Sequence, residues 1–365
     1  MSEQLVNYPC SNCGASLRYK PGTMSLVCEY CGSETLIKEH QEPIAIQEND
    51  LESFLKSFEQ KGLKYETKVV KCTNCSAEVM LEPNITSENC PFCTTPLLIE
   101  KASVCQVHRP QYVLPFLIDE KKAQQQFANW IESLWFTPND LKNYKKRHDK
   151  MKGVYLPYWT YDCLTTTTYK GERGVYYYET ETYYEKVNGE YVSRTRKVRK
   201  TRWYPVSGVV THNFDDVLVP ATTSLPKQFL RALEPWNTQK LVPFDAKFLA
   251  GVRTEQYQIS LAEGYQLAKN RMQEAIHYLI QKDIGGDEQR ITYKSTSYFN
   301  PTFKHILLPV WVSAFRYRGK LYQFLINAQT GKVHGEHPYS IIKIALLVIL
   351  IISIVVLYFY YGTSY

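Results

Sequence analysis

Eight of the ten cysteines form four Cys-x-x-Cys pairs, and this spacing is the clearest sign of chemistry in the chain. Two residues between cysteines form a tight turn whose sulfurs converge on one ion, and two such turns complete a tetrahedral site. Four thiolates leave no position open for water, so each site is structural rather than catalytic. The spacing predicts two structural Zn²⁺ ions, one held by Cys10, Cys13, Cys28 and Cys31, the other by Cys72, Cys75, Cys90 and Cys93.

The two cysteine groups are repeats of one unit. In each, the second pair begins 18 residues after the first, and the groups superimpose at a shift of 62 residues. This indicates a duplicated zinc ribbon. A module of about 30 residues buries too little apolar surface to fold alone, so the metal supplies roughly 10 kcal/mol. Gly14 and Gly32 follow the pairs of the first ribbon, where a left-handed backbone is convenient. Ser76 and Thr94 stand there in the second, which predicts slightly different turns.

Disulfides, a redox dithiol and iron in place of zinc are the alternative interpretations of these pairs. The chain begins MSEQL, without the basic and apolar stretches of a signal peptide, so we expect the N-terminal part to stay in a reducing compartment. Cys163 stands alone, and Cys105-x-x-His108 is interpreted as linker or core because the ribbon already has four ligands. His334-Gly-Glu-His337 could bind metal but is typical of a solvated linker. The choice between zinc and iron stays open.

The C-terminal segment predicts a membrane anchor. Residues 344–361 carry no charge and only Ser353 is polar. Extended to 341–361, the segment would be about 31 Å long as a helix, enough for a hydrocarbon core of about 30 Å. The lysines that flank it all lie on its N-terminal side: Lys320, Lys332 and Lys343. We therefore predict a single-pass, tail-anchored protein of the cell (inner) membrane, with its N-terminus in the cytoplasm.

The middle of the chain predicts an α+β fold. Residues 49–61, NDLESFLKSFEQK, predict an amphipathic spacer helix with Asn49 as its N-cap. Two half-units follow. The first joins 113–116 (VLPF), a helix from Asp119 to about Trp135, and 153–159 (GVYLPYW). The second joins 241–244 (LVPF), a helix from Ser260 to about Lys282 with a Ser260-x-x-Glu263 capping box, and 305–311 (HILLPVW). The alternative is that Leu-Pro-aromatic simply recurs at strand starts.

The predicted organisation is two small N-terminal zinc ribbons, a duplicated α+β region rich in antiparallel strands and one C-terminal transmembrane helix. The predicted bounds are 1–40 for the first ribbon, 41–66 for the spacer helix, 67–102 for the second ribbon, 110–225 and 226–338 for the two α+β halves, and 341–361 for the membrane helix.

A charged hairpin is predicted inside the first half. Residues 176–187 and 190–204 flank Asn188-Gly189, a strong two-residue turn signal. Pairing outward from that turn sets Glu181 opposite Arg196, so much of the basic run Arg194–Arg202 has acidic neighbours. A solvated hairpin is the plain interpretation. Contact with anionic lipid headgroups or with nucleic acid are the alternatives.

The ribbons, GVYLPYW, the stretch 307–333 (LLPVWVSAFRYRGKLYQFLINAQTGKV) and the terminal span together resemble a family of bacterial tail-anchored membrane proteins. Its members carry N-terminal transcription-factor-IIB-type zinc ribbons and are often labelled primosomal protein N-prime (replication factor Y) or superfamily II helicase. The likeness covers most of the chain. Some relatives resemble recruiters of phage-shock-type and flotillin-like (SPFH-domain) envelope proteins, which implies such partners here.

The sequence predicts no enzyme. A helicase motor needs a Gly-x-x-x-x-Gly-Lys-Ser/Thr loop, and neither Gly319-Lys320-Leu321 nor Gly331-Lys332-Val333 fits it. The ribbons carry net charges of +1 over residues 8–38 and −2 over 70–101, too little for strong phosphate binding. We therefore predict a membrane-tethered adaptor that recruits cytosolic proteins. The alternative is a nucleic-acid-binding protein linked to replication, without helicase activity.

Overall fold

The computed structural model describes residues 8–37, 46–61, 64–81, 88–141, 151–187 and 189–362. Within them the chain has the predicted α+β fold, with one sheet of three strands, one sheet of twelve strands and an apolar C-terminal helix. Asn188 of the predicted turn lies outside the described residues. So do parts of the predicted first ribbon and spacer, at 1–7, 38–45 and 62–63, of the second ribbon, at 82–87, and of the first α+β half, at 142–150.

The first ribbon forms the small sheet. Its strands are antiparallel neighbours in chain order: β1 (Leu17–Tyr19), β2 (Ser25–Cys28) and β3 (Glu34–Leu36). The sheet packs on the remainder of the chain, where the Tyr19 backbone N–H donates to the Ala250 carbonyl at 2.8 Å.

The spacer helix is present, with a different cap. Strand β4 (Asn49–Asp50) precedes helix α1 (Leu51–Lys61), and the Asp50 carboxylate accepts from the Ser53 N–H at 2.7 Å. The prediction of Asn49 as the cap is therefore wrong. Asn49 is opposite Phe303 in the large sheet, a long-range pairing that the local sequence does not reveal.

The second ribbon belongs to the large sheet. Strand β5 (Lys64–Lys71) lies between β6 (Glu78–Met80) and β7 (Ser103–His108), antiparallel to both. Cys105 and His108 thus lie on a strand of this sheet rather than in a linker.

Two α+β units follow and share the large sheet. The first comprises β8 (Tyr112–Val113), α2 (Glu120–Ser133), β9 (Lys152–Val187) and β10 (Glu190–Pro220). Two short elements connect it to the second, α3 (Lys227–Ala232) and β11 (Val242–Pro243). The second comprises β12 (Arg253–Glu255), α4 (Leu261–Ile284), β13 (Glu288–Tyr317) and β14 (Lys320–Asn327), with β15 (Val333–Gly335) beside β14.

The two units are related by a pseudo-two-fold axis. Strands β9 and β13 are antiparallel, and Leu156 lies opposite Leu308 at the axis, 152 residues apart. The neighbours of each strand repeat at the same shift. Strand β12 runs parallel to β9 at residues 154–155, and β8 runs parallel to β13 at 306–307. The two tryptophans match as well, because the Trp159 indole donates to the Ile259 carbonyl at 2.9 Å and the Trp311 indole to that of Ile118 at 2.8 Å.

This symmetry corrects the alignment of the halves. The counterpart of β8 is β12 and not residues 241–244, which the sequence matched with it. Val113 lies six residues before the N-cap Asp119, and Thr254 lies six residues before the N-cap Ser260. The LVPF segment instead contributes β11, an antiparallel neighbour of β8. The alignment of residues 113–116 with 241–244 therefore rested on a Leu/Val-Pro-Phe pattern that recurs in two structurally different elements.

Helices α2 and α4 and the first ribbon cover one face of the β9–β13 pair, and the second ribbon and α3 cover the other. Side chains alternate along β9, so Tyr155 and Trp159 share a face with buried residues of α2 and α4. Leu156 and Tyr158 point the other way, into a core completed by Phe92 of the second ribbon and by α3. The second ribbon is thus one wall of the central core.

The last helix, α5 (Ile341–Gly362), stands apart from these cores. Residues 341–361 contain an 18-residue window of mean hydropathy 3.1 with no part buried in the protein, and the helix is long and apolar enough to cross a membrane. Its apolar side chains are exposed, so they suit the hydrocarbon core of a bilayer.

Candidate metal centres

The first cysteine group has the geometry of a four-sulfur site. The Sγ atoms of Cys10 and Cys31 are 3.6 Å apart and those of Cys13 and Cys28 are 3.4 Å apart. All four lie within 4.8 Å of one another. A tetrahedron with Zn–S bonds of about 2.3 Å has edges of roughly 3.8 Å, so the donor set fits one Zn²⁺.

The second group repeats this arrangement. The Sγ atoms of Cys72 and Cys93 are 3.5 Å apart, and those of Cys75 and Cys90 are 3.6 Å apart. The chain is therefore positioned to hold two structural zinc ions, as the sequence predicts. Four thiolates complete each shell, so a bound ion would cross-link two turns and offer no open position to a substrate.

All four turns have the same backbone. In each, the residue after the second cysteine donates its N–H to the carbonyl of the first cysteine, at 2.9 Å in the first ribbon and 3.0 Å in the second. The φ angle of that residue is 75° and 74° at Gly14 and Gly32, and 60° and 61° at Ser76 and Thr94. The prediction of different turns in the second ribbon is therefore wrong. Two sulfurs converge on one ion only when the residue after the second cysteine has a left-handed backbone, whatever its side chain.

Replacing Thr94 by glycine should stabilise the zinc-loaded protein. A left-handed backbone costs a residue with a Cβ about 1–2 kcal/mol, and glycine avoids this cost. Glycine also has a freer unfolded state, which opposes folding and cancels part of the stabilisation. We expect a net gain of roughly 0.5–1 kcal/mol, measured as a higher unfolding midpoint. The control is Ala77→Gly in the same ribbon, at a buried residue without positive φ, which should lower the midpoint. A midpoint for Thr94→Gly at or below that of the parent contradicts the strain argument.

Each site has a hydroxyl beside its sulfurs that sequence reasoning missed. Ser33 Oγ lies 2.9 Å from Cys10 Sγ and 3.1 Å from Cys31 Sγ, and Thr95 Oγ1 lies 3.3 Å from Cys93 Sγ. Hydrogen bonding from the Ser33 hydroxyl lowers the pKa of Cys10 and lowers that of Cys31 to about 5. Ser33 and Thr95 occupy equivalent positions in the 62-residue repeat. A hydroxyl residue at the same place in both ribbons is the sequence feature that could have identified them.

Removing the Ser33 hydroxyl should loosen one zinc ion and not the other. A donor to a metal-bound sulfur stabilises the thiolate form, and loss of such outer-shell partners costs about 10–100-fold in metal affinity. We expect Ser33→Ala to release one of two ions to a competing chelator at roughly tenfold lower chelator concentration. Ser33→Thr keeps the hydroxyl and is the matched control. Superimposable release curves for the alanine variant and the parent would show that the hydroxyl is not a partner of the metal site.

The two sites differ in burial. Cys13 and Cys31 are exposed, and the first ribbon also exposes Tyr30 and Leu36 to solvent. In the second ribbon Cys90 and Phe92 are fully buried, and Phe92 accepts through its carbonyl a 2.6 Å hydrogen bond from the Gln323 amide. Loss of metal from the second site would therefore disturb the central core, whereas loss from the first would disturb the separate core that Leu17 and Tyr19 share with Tyr155.

Other candidate ligands do not assemble into a site in the part of the chain that the structure describes. Cys163 is buried. His334 and His337 belong to no group of three or more metal-ligating side chains there, and they line an open cavity of about 540 Å³. Three carboxylates do converge, those of Glu48, Asp162 and Asp215.

A buried lysine lies beside two of those carboxylates, Glu48 and Asp162, and beside the neighbouring Asp216. Lys304 Nζ lies 2.7 Å from Glu48, 2.8 Å from Asp216 and 3.3 Å from Asp162. Burial alone would lower the pKa of Lys304, but hydrogen bonds with Asp216 and Glu48 raise it above its ordinary value. The internal ammonium thus compensates the negative charge of Glu48, Asp162 and Asp216.

The predicted hairpin is the distal part of a much longer one. Strand β13 pairs with β9 up to Gly174, and beyond that point β9 and β10 continue with no third strand among the described residues. We call residues 175–187 and 190–202 the arm. It is about 40 Å long at roughly 3.3 Å per residue.

The arm has two chemically different faces. Glu181 lies opposite Arg196, which confirms the predicted register, and their face also carries the ion pairs Arg194–Glu185 at 3.0 Å and Lys200–Glu179 at 2.6 Å. The other face, made of even positions 176–186 and odd positions 191–201, has no acidic residue. It presents exposed tyrosines beside basic side chains: Tyr178, Tyr184 and Tyr191 with Lys186, Lys197 and Arg199.

The arm and α5 leave the folded part of the chain at opposite ends of β13. Glu288, the first residue of β13, is opposite Gly174 at the base of the arm. Tyr317, its last residue, donates through its hydroxyl to Asp140 at 2.7 Å, in the segment after α2. In that same segment, the Phe136 carbonyl accepts from the N–H of Ser340 at the start of α5. Roughly 90 Å of strand separates the two ends.

Comparison with known proteins gives one extended match. The chain is 26% identical over 344 residues to the uncharacterized protein YdjG of Bacillus subtilis (strain 168), covering 93% of this chain and 92% of that protein. No protein-family model matches the chain, and no solved structure matches it.

Proposed function

We propose that this protein is a membrane-tethered zinc-ribbon adaptor, anchored by α5, that recruits cytosolic proteins to the membrane. The observation that carries the proposal is the position of the arm and of α5 at opposite ends of β13. One end suits a bilayer by length and hydropathy. The other end presents two exposed strand edges and an acid-free face. A strand without a second neighbour can pair with another chain, so the arm is a ready docking element.

The zinc sites support a scaffolding role rather than a reaction. Both are closed four-thiolate sets, which stabilise folds and leave no ligand position for chemistry. The resemblance to tail-anchored zinc-ribbon proteins points the same way, and phage-shock-type or SPFH-domain envelope proteins are the partners that it implies. Binding of anionic headgroups by Arg194–Arg202 stays a prediction. The separation of the arm from the base of α5 makes a cytosolic macromolecule the better partner.

Site-specific cross-linking tests the proposal. A photo-cross-linker replaces Tyr184 on the arm of the full chain in bacterial membranes, and Tyr278 on α4 serves as the control because the two side chains are similarly exposed, at 70% and 66%. We expect discrete protein adducts from position 184 that are absent from position 278. Equal adducts from both positions, or none, would contradict docking on the arm.

The acid-free face of the arm favours one further candidate, nucleic-acid binding. Tyrosines that can stack on bases, set among lysine and arginine, are the combination that binds single strands. Against it, the ribbons carry almost no net positive charge. Titration of the full chain in nanodiscs with mixed oligonucleotides, at low and moderate salt, separates the candidates. We expect no binding tighter than about 10⁻⁴ M. Micromolar, salt-sensitive binding that is lost in Lys197→Gln with Arg199→Gln would establish the nucleic-acid function instead.

A further inference from the structure

The segment that follows α2 is hydrogen-bonded to the first turn of α5. The Ser340 N–H donates to the Phe136 carbonyl at 2.6 Å. The Lys343 ammonium donates to the carbonyl oxygens of Trp135 at 3.1 Å and Thr137 at 2.9 Å. Three hydrogen bonds therefore fix this segment against the helix at the level of residues 340–343. The charge of Lys343 is also held on the side of the folded domain.

The same segment presents an exposed tryptophan. Trp135 is 80% exposed and stacks on Phe136, with ring centroids 6.2 Å apart and planes 17° apart. All six tryptophans lie in the described residues, and of these six only Trp135 is exposed. Tyr339, Ile341 and Ile342 are exposed beside it along the chain leading into α5. A surface of this kind is unfavourable in water and needs a cover.

We infer that the exposed side chains of Trp135, Tyr339, Ile341 and Ile342 lie in the headgroup layer of the bilayer that α5 enters, with the Trp135 indole as an interfacial anchor. The occupant of this surface is phospholipid, because the surface is continuous with the start of the helix that suits the hydrocarbon core. Indole and phenol rings combine an apolar body with a polar tip, so they partition to the level of the headgroups. The three hydrogen bonds then set how the folded domain stands on the membrane. The inference rests on the proposed attachment through α5.

Lipid quenching of tryptophan fluorescence tests this inference. The full chain is reconstituted in nanodiscs of phosphatidylcholine, with or without bromine near the headgroup end of the acyl chains, and fluorescence is compared between the two. We expect the parent protein to be quenched and Trp135→Phe to lose most of that quenching. Trp203→Phe is the control, since Trp203 is half-buried under the Arg290 guanidinium at the base of the arm. It should be quenched like the parent.

The outcomes separate this inference from the proposed function. Insertion of the full chain with equal quenching in the parent and in Trp135→Phe overturns the inference alone, because α5 would then span without the segment touching lipid. Failure of the full chain to enter nanodiscs overturns both. Quenching that depends on Trp135, in protein that resists extraction from the discs, supports the interfacial position.

Discussion

Replacing Cys90 by serine should abolish the cooperative unfolding transition of the chain that precedes α5, whereas Cys13→Ser should leave that transition in place. Cys90 is fully buried and shares a core with β9, β13 and α3, whereas Cys13 is exposed beside the small sheet, which joins a different core. Site assembly contributes about 10 kcal/mol, comparable with a typical folding stability of roughly 5–15 kcal/mol. Losing it at the fully buried Cys90 is therefore severe, whereas losing it at Cys13 should cost less, because the serine side chain stays in solvent there.

Circular dichroism and limited proteolysis of the full chain in detergent measure this contrast. Each variant should also lose about one of its two zinc ions. The metal content thus shows whether each substitution has emptied the zinc site to which it belongs. If the two variants unfold alike, or if Cys90→Ser keeps the parent's midpoint, the second ribbon is not part of the central core.

Removing residues 341–362 should move the protein from the membrane to the soluble fraction without unfolding it. No part of the spanning window is buried in the described structure, so its removal opens no core. A matched variant keeps the length and replaces Leu350 and Ile351 by arginine. Two arginines at the centre of a span cost about 5–7 kcal/mol on insertion scales, enough to prevent stable insertion.

Fractionation with alkaline carbonate measures attachment, and the zinc content of the released protein shows that it is still folded. We expect the parent to resist extraction and both variants to be extracted with two zinc ions bound. A truncated chain that still pellets and resists carbonate would mean that another part of the protein holds the membrane.

Features of this chain that depend on short-range interactions can be predicted from its sequence. Two residues between cysteines decide where the sulfurs point, so the metal ligands follow from spacing alone. The Asn-Gly signal sets the register that places Glu181 opposite Arg196. The capping box at Ser260 and the positive φ of Gly285 delimit α4, which ends at Ile284, two residues beyond the predicted Lys282.

Features that depend on long-range strand pairing cannot be predicted from the local sequence in the same way. Thr254 is opposite Tyr155, about a hundred residues earlier, and only that pairing identifies β12 as the counterpart of β8. The deeper burial of the second site is equally hidden, because its cysteine spacing matches that of the first, where Cys13 and Cys31 are exposed. Asp50 is the cap of α1 because Asn49 is opposite Phe303, far along the chain. The position of Trp135 against α5 likewise arises from packing and not from any local pattern.

The recruitment of a partner to the membrane tests the adaptor account most directly. The protein that cross-links to position 184 is identified, and its distribution between membrane and soluble fractions is measured in cells with the full chain and in cells with the chain lacking residues 341–362. The account predicts that the partner is in the membrane fraction with the full chain and in the soluble fraction with the truncated one. An unchanged distribution, or nucleic acid as the main adduct at position 184, would contradict it.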